Sequence, residues 1–200
     1  MNYKACKDNN DFILWQKFKK GDHQAFTRIY RDFYPPLLGY GLKIKNDHEF
    51  VKDCIQEMFF DIISHIQNLG DTDNILLYLI TSLRRKIFRK IRYDISFRFN
   101  KNILSQNFEE SDYSSEQMVF YTDCNRTRKK LIREMVNKLP PRQKEALLMK
   151  FYLSLEYEDI AQVMGLNVQS VRNLVHKAIK LLRERLSAAG VTNKLYLVED

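Results

Sequence analysis

"YEDIAQVMGLNVQSVRNLVHKAIKLLRERL", from Tyr157 to Leu186, carries a helical apolar period that stops at Gly165-Leu166-Asn167 and then restarts. Ile160, Ala161 and Met164 share one side of a short first helix; Val171, Leu174, Val175, Ala178, Leu181 and Leu182 share one side of the second. Asn167 is a good N-cap for that second helix, and Gly165 is free to take positive φ at the turn. The spacing Ala161–Gly165–Val171 is what a helix-turn-helix needs. A small residue sits where the helices cross, glycine allows the tight turn, and a β-branched residue wedges back between them.

The other side of the second helix carries the chemistry. At about 100° per residue, Gln169, Arg172, Asn173, His176 and Lys180 fall together, with Ser170 and Lys177 at one flank. Gln, Asn and Arg can make paired hydrogen bonds to base edges in a major groove, whereas Lys, His and Ser suit phosphates. A polar helix face is commonly just solvated. Following this turn, it reads instead as a DNA-recognition helix, with Gln169, Ser170, Arg172, Asn173, His176 and Lys177 as its DNA-binding residues. Ahead of it, Pro140-Pro141 starts a helix to which Ala146, Leu147, Met149 and Phe151 contribute core. Arg142, Lys144 and Lys150 on that helix suit phosphates or plain solvent equally.

Working outward, Gly and Pro are scarce and long segments keep a helical period, so the chain reads as all-α. The expected architecture is two small helical domains joined by a flexible linker, the second containing the helix-turn-helix. The first domain spans 1–93, the linker 94–125, the helix-turn-helix domain 126–186 and a tail 187–200. Breaks are expected at Lys20-Gly21-Asp22, Tyr34-Pro35-Pro36 and Asn68-Leu69-Gly70-Asp71 in the first half, and at Leu139-Pro140-Pro141, Leu153-Ser154 and Gly165 in the second. The linker is rich in Asn, Ser, Glu and Asp and weak in periodicity.

The net charge of +8 and a pI near 9.3 favour a polyanionic partner. No signal peptide is evident, and no apolar run reaches the roughly 18 residues of a membrane span. A cytoplasmic protein is expected. Cys6, Cys54 and Cys124 lie far apart with no CxxC pair, and His23, His48, His65 and His176 do not complete a zinc set. No metal, cofactor or small-molecule substrate is expected. With no nucleophile elbow and no phosphate-cradling glycine loop, the chain does not read as an enzyme.

In the first half, "HEFVKDCIQEMFFDIISHIQ" places Glu49, Asp53, Glu57 and Asp61 along one helix face. Like charges at that spacing cost a few tenths of a kcal/mol per pair in an isolated helix. The row is either a solvated acidic face or a docking surface for a basic partner, and of the adjoining Phe59 and Phe60 at least one should sit near its rim. The next helix, "DNILLYLITSLRRKIFRKIRY", holds six cations and no acid between Leu83 and Arg92. Alone, such a helix suits a membrane surface, an acidic protein, or phosphates with unstacked bases on its aromatics.

This order of parts closely resembles the extracytoplasmic-function sigma factors of the sigma-70 class. "AFTRIYRDFYPPLLGY" resembles their opening helices and "KDCIQEMFFDII" their clamp-binding signature. "LPPRQKEALLMKFYLSLEYEDIAQVMGLNVQSVRNLVHKAIKLLRERL" is similar throughout to their promoter-reading domain. The resemblance implies that Asp53, Gln56, Glu57 and Phe60 dock on core RNA polymerase. It implies that Asp71, Thr72, Asp73, Asn74, Tyr78, Arg84, Arg85 and Arg89 engage the −10 element of promoter DNA, and that the C-terminal helix reads the −35 element. It also admits an anti-sigma factor at the inner membrane. The family usually carries Trp where Tyr78 stands, often Asn where Arg85 stands, and Asp or Asn where Arg89 stands. The main rival is a polymerase-independent helix-turn-helix regulator, which would need a dimer and has no use for the acidic row. A membrane-associated adaptor using the basic helix leaves the recognition helix unexplained.

Overall fold

The computed structural model describes residues 9–100 and 132–188. The expectations for residues 1–8, for the linker beyond 100 up to 125, for Cys6 and Cys124, and for the tail beyond 188 fall outside that range. Seven α-helices are named among the described residues, with no strand. They are α1 (Asn9–Lys19), α2 (His23–Ile44), α3 (His48–Ser64), α4 (Ile75–Asn100), α5 (Pro141–Phe151), α6 (Tyr157–Met164) and α7 (Val168–Ala188). A short 3-10 turn, Ile66–Asn68, and a helical segment at 132–137 complete them.

Local chemistry sets the boundaries. Gly21 takes a φ of +86°, and the Asp22 side chain then caps α2 by accepting from the backbone N–H groups of Gln24 (2.8 Å) and Ala25 (3.3 Å). Asp47 caps α3 through the Phe50 N–H at 3.0 Å. Pro141 opens α5 at its first turn, where its missing N–H would have had no helical partner.

The break expected at Tyr34-Pro35-Pro36 does not occur, because α2 runs unbroken through both prolines. Each proline deletes a helical hydrogen bond, a cost of about 3 kcal/mol in a helix interior. Burial outweighs that cost here. Ala25, Ile29, Pro36, Leu37, Tyr40 and Gly41 form one buried stripe that continues past the prolines, so only a continuous helix keeps the apolar residues on one side. A second difference lies at the far end: α4 continues past Tyr93 to Asn100, into the stretch assigned to the linker.

The first body is built by α1–α4, with Trp15, Ile29, Tyr40, Ile55, Leu79 and Leu83 at its centre. The second packs α5 and α6 on α7 around Met149, Leu153, Ile160, Val171 and Val175. The bodies also meet. α2 packs against α5, and α4 packs against α6. Gly39 marks a close approach, since a Cβ there would run into the Tyr152 ring across the seam. Phe151, expected in the core, is instead exposed.

Candidate nucleic-acid interface

The helix-turn-helix forms as its spacing predicts. Gly165 closes α6 in the left-handed region at φ +64°, and the Leu166 N–H returns to the Ala161 carbonyl at 3.0 Å. Asn167 then accepts from the Ser170 N–H at 2.7 Å, starting α7. Ala161 and Val171 are buried at the crossing.

On the outer side of α7, Gln169, Arg172, Asn173, His176 and Lys177 are exposed, and Ser170 is half-buried beside the cap. The Gln169 amide donates to Asn173 Oδ1 at 3.2 Å, so two amides able to read a base edge are held together. Arg172 lies over the Tyr157 ring, 5.4 Å from its centroid, and 4.0 Å from a Glu158 oxygen. Both partners stand on α6, so the first helix orients a side chain of the second. Lys150 and Lys144, weighed for phosphate contact, are engaged by Glu156 (3.0 Å) and Asn137 (3.0 Å).

The −10 candidates are disposed differently. Gly70 to Asn74 is tied to α1: Trp15 Nε1 donates to the Gly70 carbonyl at 2.9 Å, and Asp71 accepts from Gln16 (2.7 Å) and Lys19 (2.6 Å). Hydrogen bonds from Lys19 and then Gln16 hold the Asp71 carboxyl below its usual pKa. Asn74 is buried and caps α4 through the Leu77 N–H at 3.0 Å, while the Thr72 hydroxyl bridges the Asn74 backbone. Tyr78 is half-buried against Trp15, with ring centroids 4.9 Å apart. Asp73, Arg85 and Arg89 are exposed.

Arg84 does not join them. Its guanidinium pairs with Glu145 of α5 at 2.8 and 3.4 Å and stacks over Phe88 at 4.8 Å. Lys86, the next cation, is only 7% exposed and bonds Asp61 at 2.5 Å, with Glu57 at 3.5 Å. Lys90 pairs with Glu57 at 2.6 Å. Hydrogen bonds from these lysines are the leading reason the Glu57 and Asp61 carboxyls sit below their ordinary pKa.

The acidic row on α3 is therefore neither a free stripe nor a plain solvated face. Its Glu57–Asp61 end is neutralised by α4, and Glu49 pairs with Lys52 at 3.1 Å. Asp53 and Gln56 stay exposed, followed by Phe60 at 70% exposure and, one turn on, exposed Ile63. Phe59 turns inward. Of the polymerase-binding set, Asp53, Gln56 and Phe60 share an open surface, and Glu57 is engaged at its edge. Ile63 belongs to that surface and was not expected from the sequence, although its i+3 position after Phe60 points to it.

Glu145 was also missed. The signal lies in its place on the apolar arc of α5, with Ala146 and Met149, where a carboxylate needs a partner. Among the described residues, no cluster of His, Cys, Asp and Glu is arranged to hold a metal. No helix among them is long and apolar enough to cross a membrane.

Comparison with known proteins agrees with this geometry. The family profile "Sigma-70, region 4" matches residues 129–182, the segment that holds the helix-turn-helix. The RNA polymerase sigma factor YlaC of Bacillus subtilis is 22% identical over 160 residues, covering 80% of this chain and 90% of its own. The ECF RNA polymerase sigma factor EcfG of Rhodopseudomonas palustris is 24% identical over 160 residues, covering 77% and 78%.

Residues 129–182 carry a sigma-70 region 4 domain, and most of the chain is similar to RNA polymerase sigma factors, extracytoplasmic-function members among them.

The fold agrees over most of the sigma factor's length. The sigma factor RpoE of Bartonella quintana, solved with the anti-sigma factor NepR, superimposes with a TM-score of 0.60 at 19% identity. That likeness covers 81% of this chain and 96% of RpoE, so both helical bodies have counterparts in it.

Proposed function

We propose that this chain acts as a sigma factor that binds core RNA polymerase and directs promoter-specific initiation, its first body engaging the −10 element and its helix-turn-helix reading the −35 element. The observation that carries the reading is the pairing of two exposed surfaces on one chain. α7 presents Gln169, Arg172 and Asn173 above a braced turn, and α3 presents Asp53 and Gln56 beside exposed Phe60. A polymerase-independent regulator has use only for the first.

On α7, Arg172 and the Gln169–Asn173 pair reach base edges, while His176, Lys177 and the Ser170 hydroxyl meet phosphates. On the first body, Arg85 and Arg89 track phosphates, Asp73 and Tyr78 line the approach to an unstacked base, and the Asp71–Asn74 loop is the rigid rim pinned by α1. Capturing a flipped base recoups the cost of unstacking it. Two modest readers on one enzyme gain through effective concentration. Its workplace is the cytoplasm, with the polymerase. RpoE of Bartonella quintana was solved with an anti-sigma factor; by that likeness, an anti-sigma factor is a partner here too.

The test is binding of labelled protein to purified core polymerase, comparing wild type with Asp53→Lys and Phe60→Asp. Both substitutions sit on exposed side chains and should leave the fold intact while weakening binding at least tenfold, about 1.4 kcal/mol. Undiminished binding by both would remove α3 as the docking face.

A further inference from the structure

Glu145 is 6% exposed, yet it carries a carboxylate into the seam between the two bodies. One of its oxygens accepts from the Tyr40 hydroxyl of α2 at 2.9 Å and from Arg84 Nε of α4 at 2.8 Å. The other lies 3.4 Å from Arg84 Nη2. One side chain of the second body is thus bonded to two helices of the first. We propose that Glu145, Arg84 and Tyr40 form a latch that holds the bodies closed on each other and keeps Arg84 from nucleic acid.

The chemistry makes the latch exchangeable. A carboxylate offers a guanidinium the same two-oxygen edge that a phosphate offers, so a DNA backbone and Glu145 compete for Arg84. Arg85 and Arg89, turned about 100–140° around α4 from Arg84, stay exposed while the latch is shut. Burial and the nearby Glu145 carboxylate push the Tyr40 hydroxyl well above its ordinary pKa, so it remains a donor.

The same seam carries an opposing set. Lys43, one turn after Tyr40, and Lys144, next to Glu145, both have their pKa lowered, first by burial and then by a neighbouring cation: Arg133 for Lys43, and Lys43 for Lys144. Like-charge repulsion beside the latch thus opposes the attraction at its centre.

The DNA part of the test rests on the proposed function; the distance part does not. Probes at exposed Gln67 on the first body and Arg183 on the second, with Cys6 and Cys124 replaced by Ser, report the separation of the bodies in the full chain. Glu145→Gln keeps an acceptor for Tyr40 but removes the charge, and should lengthen and broaden that distance. Tyr40→Phe should shift it less in the same direction, and Lys144→Gln should narrow it. Affinity of the free protein for single-stranded −10-type DNA should rise about tenfold in Glu145→Gln, as expected if the open state holds about one molecule in ten. A distance unchanged in Glu145→Gln overturns the latch. If that variant does not fold, an unchanged distance in Tyr40→Phe overturns it equally. A longer distance without the gain in affinity upholds the latch and overturns the role of Arg84 on DNA.

Discussion

Helices α4 and α7 both present a polar, cation-bearing surface, and they are built in different ways. On α7, Gln169, Arg172, Asn173, His176 and Lys177 face outward, with only Arg172 leaning on a neighbouring helix. On α4, the six cations from Leu83 to Arg92 divide by rotation around the helix. Lys86 and Lys90 turn back to Glu57 and Asp61 of α3, Arg84 turns to Glu145 of α5, and Arg85, Arg89 and Arg92 face solvent. A run of like charges in sequence is thus no single patch in space. Each cation follows its angular position, and those pointing at another helix find an acid there. On this view substitutions of the inward-turned cations of α4 change folding, and those on the outer face of α7 change recognition.

The largest expected effect tests the base on which α4 stands. Trp15 is fully buried, packs on Tyr78 and donates to the Gly70 carbonyl, fixing the loop that leads into α4. Trp15→Ala should cost about 3–5 kcal/mol in chemical denaturation of the first body, while α7 keeps its helicity. Equal loss of structure in both bodies would show them folding as one unit.

The corresponding break at α7 is the turn. Gly165 sits at φ +64° with open space around its Cβ position, so strain there is conformational rather than steric. Gly165→Val should cost roughly 1–3 kcal/mol and weaken DNA binding by misplacing α7. A melting curve like wild type would mean the backbone relaxes without loss.

Much of this is legible in the sequence. The turn at Gly165, the cap at Asn167 and the outward face of α7 all follow from a 3.6-residue period and one φ requirement, which are local facts. The path of α2 through Pro35-Pro36 was not legible, because local hydrogen-bond loss opposes burial and only the packed structure shows which prevails. The partners of Arg84 and Lys86 were hidden for a related reason: they lie on other helices, and sequence spacing reports only neighbours on the same one. Even so, Glu145 and Lys86 both stand on apolar stripes, a sign that some partner exists without saying which.

A smaller effect sharpens the contrast through acid. The Glu57 and Asp61 carboxyls are held below their ordinary pKa of about 4, chiefly by hydrogen bonds from Lys90 and Lys86. Their pairing with α4 therefore stabilises the fold above that ordinary value and is lost as pH falls through the lowered one. Thermal denaturation of wild type should show this loss between roughly pH 5 and 3, and Lys86→Met should flatten it. An equally steep acid response in Lys86→Met would mean other carboxylates dominate.

The smallest effect on stability belongs to Arg172→Ala, which should stay within about 0.5 kcal/mol of wild type, as exposed substitutions do. Its effect should appear in specificity at one or two upstream base pairs, each costing about 1–3 kcal/mol. A footprint and base preference identical to wild type would take Arg172 out of the reading set.

The most direct measurement is run-off transcription by core RNA polymerase on a library of promoter fragments, with and without this chain. The account predicts specific transcripts only when the chain is present. They should vanish when Asp53 and Phe60 are replaced together, and shift their upstream sequence preference with Arg172→Ala. DNA binding without polymerase and no dependent transcripts would contradict it, leaving α7 as the recognition helix of a regulator that works alone.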